Sequence, residues 1–246
     1  MYKRQEQGGR SFENTINDLQ FTPDGQMVVS GENDTKTLKY WDVTSGELAD
    51  EFEAPDTIFS YAFSQDGSVL ISGETHFANL WDLGSGEELD SIGYFYYGIG
   101  DVALSADASL VAICNDGSVF LWDAGAGEDL LTQEWVEAHD VDLSADGTQF
   151  VYSSGTDVLV WDTATVERLQ TLAAESEIDN LALSPDGSLI VASTDDGMLH
   201  FWDTLTGELL YSMAYSTLDF GFSEDGLLLV TTSSDGTVRL WGLAQP

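Results

Sequence analysis

Six tryptophans, Trp41, Trp81, Trp122, Trp161, Trp202 and Trp241, stand 40, 41, 39, 41 and 39 residues apart. Five are followed by Asp and the last by Gly. A period of this length restricts the chain to folds that stack one supersecondary unit, because a single unit cannot bury its apolar face alone. A second marker runs in phase with the first. Thr22–Gly25, Ser64–Gly67, Ser144–Gly147, Ser184–Gly187 and Ser223–Gly226 share a turn with Asp third and Gly fourth, and Ser105–Ala108 alone lacks the glycine. The Asp bonds its own backbone and the Gly tolerates positive φ, which is the chemistry of a tight hairpin.

Just before each turn, apolar residues alternate with period two, as in Leu19/Phe21, Tyr61/Phe63, Val102/Leu104, Val141/Leu143, Leu181/Leu183 and Phe220/Phe222. After it comes a β-branched and leucine run, such as Val69–Ile71. A second turn follows, clearest at Asp116-Gly117, Asp196-Gly197 and Asp235-Gly236. Then come the tryptophan strand, a loop such as Thr206–Glu208, and a short fourth strand. Four short strands per 40 residues predict an antiparallel β-meander, and no window sustains a helical period.

The ~40-residue period, the Ser-Pro-Asp-Gly turn and the terminal Trp-Asp resemble the WD-repeat β-propeller family over about residues 12–244. The resemblance implies an all-β propeller of four-stranded antiparallel blades, six of them visible, in one domain over residues 10–246. The six repeat tryptophans are then structural, buried between neighbouring blades. It also implies that Arg10–Glu13, with Phe12 inward, supplies the outer strand that blade six lacks and closes the ring. One family feature is missing. Its Gly-His histidine corresponds here to Ser11, Glu53, Tyr94, Gln133, Ala173 and Ser212, and only Asp116, Asp196 and Asp235 match the Asp of the same buried set. The expectation is an incomplete buried network and blades that rest more on apolar packing.

Residues 1–9 are expected to be a non-native or disordered tail. Met1–Gln5 fits no blade, and GTG-TAT-AAG-AGA-CAG, which encodes it, ends a transposon-based sequencing adapter. The sequence is therefore expected to be an environmental piece with upstream blades or a further domain cut away.

Charge decides the partner classes. The chain carries 44 Asp plus Glu against 7 Lys plus Arg, a net charge of −37. Binding a phosphate backbone or an anionic membrane depends on cations this chain lacks, so no nucleic-acid or membrane partner is expected. No apolar run reaches bilayer length. With 43% hydrophobic residues the chain holds enough apolar material for a core, and a soluble, monomeric, cytoplasmic propeller is expected. The six turn aspartates, five post-tryptophan aspartates and three second-turn aspartates account for fourteen acids, leaving 30 of 44 not demanded by the repeat. Those 30 read as a solvating coat or as attraction for a basic protein partner.

The sequence carries no recognisable catalytic or cofactor motif. His76, His139 and His200 lie in three different repeats without metal-ligand spacing, and His76 and His200 are expected to point outward into solvent. No phosphate loop, dinucleotide fingerprint or nucleophile elbow occurs, so no cofactor, metal or catalytic residue is assigned. The single cysteine, Cys114, reads as a small core residue. What the repeat leaves over is aromatic. Trp135, Tyr97, Tyr215, Phe59 and His139 fall in segments joining an outer strand to the next inner strand. In the resembled family these loops surround the channel mouth and bind partners. An exposed patch of Tyr97, Trp135 and Tyr215, flanked by Phe59 and His139, is the predicted partner site. The reading is a non-catalytic protein-interaction scaffold; the alternative is a propeller enzyme or a small-ligand or metal binder using the central channel.

Overall fold

The computed structural model describes residues 16–32, 35–93, 95, 98–223, 225–233 and 235–242. Blade one is β1 (Ile16–Phe21), β2 (Met27–Glu32), β3 (Thr37–Asp42) and β4 (Leu48–Glu53). Blade two is β5 (Ile58–Phe63), β6 (Val69–Glu74), β7 (Ala78–Asp82) and β8 (Glu87–Ile92). Blade three is β9 (Ile99–Leu104), β10 (Leu110–Asp123) and β11 (Glu128–Glu137). Blade four is β12 (Val141–Leu143), β13 (Gln149–Ser154), β14 (Asp157–Asp162) and β15 (Glu167–Ala173). Blade five is β16 (Ile178–Leu183), β17 (Leu189–Thr194), β18 (Met198–Asp203) and β19 (Leu209–Ala214). Blade six is β20 (Asp219–Phe222), β21 (Leu228–Thr232) and β22 (Val238–Gly242). All neighbouring strands are antiparallel meanders, so the chain is an all-β, six-blade propeller. In blade three the two middle strands run on as one element. The first half of β10 pairs with β9 and the second half with β11, and Ala124 N–H donates to Ser109 O at 2.9 Å to join its two ends.

The repeated turn works as its residues predict. In Ser64–Gly67 the Ser64 hydroxyl donates to Asp66 Oδ1 and accepts from Val69 N–H, while Asp66 Oδ1 accepts from Ser68 N–H. The fourth residue is left-handed in every copy. Where glycine is missing, Ala108 takes φ 57° itself. The aspartate after tryptophan has a separate task. Asp42, Asp82, Asp123, Asp162 and Asp203 each accept the backbone N–H three residues on, closing the loop to the outer strand. In that loop Gly46, Gly86, Gly127 and Gly207 are left-handed, and Val166 stands at the same place with φ 55°.

Cores lie between blades. Tyr61, Leu70 and Trp81 pack on Val29 and Leu38 between blades one and two, and four equivalent clusters fill the boundaries up to blade six. The boundary between blades six and one differs. Val238 of β22 is 67% exposed, whereas its repeat equivalents Leu38, Ala78, Val119, Val158 and Leu199 are all 0% exposed. On the facing side Leu19 is 58% exposed, while Tyr61, Val102, Val141 and Leu181 are buried. Among the described residues the two faces are therefore uncovered. The closing strap expected from Arg10–Glu13, and the expected tail at 1–9, lie outside the described residues.

The missing histidine leaves a less empty network than expected. In blade two, Trp81 Nε1 donates to Ser72 Oγ, Ser72 Oγ and Asn79 Nδ2 donate to Glu74 Oε1, and Ser91 Oγ donates to Asn79 Oδ1. Burial raises the Glu74 carboxyl above its ordinary range. In blade five, His200 from the tryptophan strand bonds Ser212 Oγ at 2.8 Å and stacks on Trp202. Ser212 occupies the place of the family histidine, so the imidazole reaches it from the neighbouring strand. The outward, solvated His200 is thus corrected. His76 also has a protein partner, the Phe95 carbonyl at 3.0 Å. Of the matched aspartates, Asp196 accepts from Thr194 Oγ1, Asp235 holds its own turn through Thr237, and the Asp116 side chain lies outside the described set.

Candidate functional site

The innermost strand of four blades begins with a bulge. In β1, β5, β9 and β16 the pairing skips Asn17, Phe59, Gly100 and Asp179, so one residue opposes nothing on the neighbouring strand. A bulge rotates the backbone, so two consecutive residues can face the mouth and then the channel. Phe59 and Asp179 are exposed at this first position, as are His139 just before β12 and Leu218 just before β20. They form the rim of the propeller.

The next residue inward is Asp18, Ser60, Asp101, Asp140, Asn180 and Asp219, one per blade. Several of these side chains, and others one step deeper, hold the neighbouring blade's inner strand. Gln20 Nε2 donates to Tyr61 O at 2.7 Å, and the Ser60 hydroxyl donates to Asp101 Oδ1 at 2.7 Å. Val141 N–H donates to Asp101 Oδ2 at 3.1 Å, Leu181 N–H to Asp140 Oδ2 at 2.7 Å and Leu183 N–H to Asp142 Oδ2 at 2.8 Å. Asn180 Nδ2 reaches Leu218 O at 3.4 Å. Among the described residues no such bond joins blade six to blade one.

This geometry crowds carboxyls around one axis. Burial, then the charges of Asp101 and Asp219, pushes Asp18 up to about 7. Burial pushes Asp142 up to about 7, with Asp101 adding to it. Asp140 lies well above the ordinary carboxylate range through burial, the Asp101 charge and a hydrogen bond with Asp101. Burial and Asp101 also raise Asp219. Asp18, Asp101, Asp140 and Asp142 are half-buried, so solvent screening lessens their mutual repulsion. The belt was missed in the sequence, although the signal was present. Four of the 30 unassigned acids, Asp18, Asp101, Asp140 and Asp219, occupy a single repeat position, the residue before the alternating apolar pair of the inner strand.

The predicted partner residues separate. Trp135 is 93% exposed on β11, where Gly117 pairs with Val136 and Ser118 with Glu134, leaving Trp135 on a bulge at φ 63°. A bulky residue held in this left-handed region costs on the order of 1–3 kcal/mol, and such strain clusters at functional sites. His139 and Phe59 are exposed at the rim as described. Tyr215 is corrected: it is 8% exposed, its hydroxyl accepts from Thr231 Oγ1 at 3.2 Å, its ring meets Trp241 edge-on, and the Arg239 guanidinium lies over it at 4.7 Å. Its alternation places it in the core between blades five and six, not on the surface. Tyr97 lies outside the described residues. Cys114 is fully buried, as expected.

Comparison with known proteins agrees with the blade geometry. The family profile described as "WD domain, G-beta repeat" matches residues 7–42, 92–123, 166–203 and 207–242, more than half of the chain. The chain belongs to the WD-repeat family. A curated WD-repeat relative, "Periodic tryptophan protein 2" of Arabidopsis thaliana, is 28% identical over 221 residues. That match covers 84% of this chain and 24% of the relative, so this WD-repeat chain spans about a quarter of the relative's length. The unmatched stretches include most of blade two, where Glu74 and Asn79 replace the usual buried set.

Proposed function

We propose that this WD-repeat propeller is a non-catalytic scaffold that binds protein partners through the rim around its channel. One observation carries the reading: the starts of four inner strands expose a side chain at the rim, Phe59 and Asp179 at bulges and His139 and Leu218 just before their strands, and His139 shares one hollow with the bulged Trp135 and another with Asp179. A scaffold needs exposed, rigidly held anchors, and bulges on paired strands provide them. The channel reading has less support. Oxygens of Asp101, Asp140 and Asp142 accept backbone N–H groups of the next blade, and among the described residues no three His, Cys, Asp or Glu side chains converge as metal ligands.

The test is affinity capture at low and high salt with the wild type and a triple variant, Phe59→Ala, Trp135→Ala and His139→Ala. Loss of specific partners in the triple variant, with its melting temperature unchanged, is the expected result. Partners retained in full by the triple variant would overturn the rim assignment.

A further inference from the structure

Two adjoining hollows lie on the rim between blades three and five. One, of about 550 Å³, is bordered by Gly117, Trp135, Val136, Glu137 and His139. The other, of about 180 Å³, shares Glu137 and His139 and continues to Glu177 and Asp179 over Ile178. They form one groove with an exposed indole at one end and carboxylates along it. Glu134, Glu137, Glu177 and Asp179 are all exposed, and among the described residues neither hollow is lined by Lys or Arg. We propose that this groove receives an extended, arginine-bearing segment of a partner protein, one guanidinium on Trp135 and a second between Glu137, Glu177 and Asp179. The inference rests on the scaffold reading and names the chemistry of its partner.

Three features select this occupant. The Trp135 indole is almost wholly free of the fold, so its π face is open to a cation, for which tryptophan is the best aromatic platform. Arginine can both stack on that face and pair bidentately with a carboxylate, which lysine cannot do. Charge complementarity is strong, since the groove's carboxylates sit on a chain of net charge −37 and, among the described residues, face no basic neighbour in the groove. An apolar partner helix fits less well, because the second hollow is bordered by three carboxylates.

The experiment measures binding of a fluorescent nine-residue Gly/Ser peptide carrying two arginines two positions apart, which an extended chain projects to one side. Its control carries citrulline in place of both arginines, the same shape without charge. Trp135→Gly is the informative variant, because glycine accepts φ 63° and the fold should hold or gain stability. Arginine-peptide binding is expected to weaken about tenfold in Trp135→Gly, and by a similar factor in the double variant Glu137→Gln/Glu177→Gln. The citrulline peptide should bind no better than these variants. Equal binding of the arginine peptide by wild type and Trp135→Gly would overturn the proposal, as would equal binding of the citrulline peptide. If the arginine peptide fails while native partners are still lost in the triple rim variant, the partner chemistry is wrong and the scaffold reading stands. If the triple variant keeps its partners, the scaffold reading falls instead.

Discussion

The backbone N–H of Leu181 donates to Asp140 Oδ2 at 2.7 Å, so blade five hangs by its inner strand on a carboxyl of blade four. That carboxyl also meets Asp101 and Asp142 in the channel and is raised well above its ordinary range by burial and by them. Stability should follow from this crowding. A carboxyl raised in the folded state binds its proton more tightly there than in the unfolded chain. Its penalty is therefore fully present above the folded value and is relieved as pH falls toward the unfolded one. With Asp18 and Asp142 at about 7, the melting temperature should rise as pH is lowered from about 8 to about 5. The turn aspartates have the opposite sign. Asp66, Asp162 and Asp186 are lowered by hydroxyl and backbone donors of their own turns, so their contribution is lost at still lower pH. Asp140→Asn keeps an acceptor for Leu181 and removes the charge. It should melt higher than the wild type near pH 8 and show a shallower dependence, and an unchanged slope would contradict the channel as its source.

Two residues hold glycine's place without being glycine. Ala108 and Val166 are left-handed at φ 57° and 55°, whereas their repeat equivalents Gly67 and Gly86 take the same conformation without a Cβ. A side chain in this region costs roughly 1–2 kcal/mol, more for a β-branched one. Ala108→Gly and Val166→Gly should each raise stability by about 1 kcal/mol after glycine's greater unfolded-state freedom is subtracted. Thermal melts decide it, with Val166→Gly expected to gain more. A loss in both would mean that contacts of the Ala108 and Val166 side chains outweigh the strain.

Net charge should appear in the salt dependence. A surface of −37 repels itself, and the repulsion shrinks as the screening length falls from about 30 Å at 0.01 M to about 3 Å at 1 M. The melting temperature is expected to climb steadily with sodium chloride over that range. A flat profile would show that the acids are spaced widely enough, or neutralised enough in the channel, to leave little repulsion.

Blades, turns and the repeat tryptophans were legible because each rests on a local rule. Asp after tryptophan closes a loop, glycine takes positive φ, and alternating apolar residues face the next blade. Exposure of the proposed site residues was legible for Trp135, a lone residue outside the repeat, and for Phe59 and His139 at the starts of inner strands. Tyr215 has the same residue type and loop position, yet it is buried, because its fate depends on Thr231, Arg239 and Trp241 from another part of blade six. His200 was misjudged for the same reason: its partner Ser212 lies across a strand pair, and the usual histidine position gave no hint of it. The acidic belt depends on which face of the inner strand meets the axis, which is set by pairing register, with a bulge before Asp18 and Asp101, and not by residue type.

The boundary between blades six and one gives the sharpest comparison within the chain. Leu240 and Leu121 both precede their repeat tryptophan, but Leu240 is 63% exposed and Leu121 is 1% exposed. Truncating a buried leucine removes its burial and leaves a cavity, so Leu121→Ala should cost about 2–5 kcal/mol. Leu240→Ala removes a side chain already in water and should stay within about 0.5 kcal/mol. In a chain of this length the first loss lowers the melting temperature by roughly 2–4 °C per kcal/mol, so the two variants are readily told apart. Equal losses would mean that the blade-six face is covered in solution, by blade one or by other chain. Losses as unequal as expected would show that this face stands open, with Val238 and Leu240 in water where the five equivalents of Val238 are fully buried.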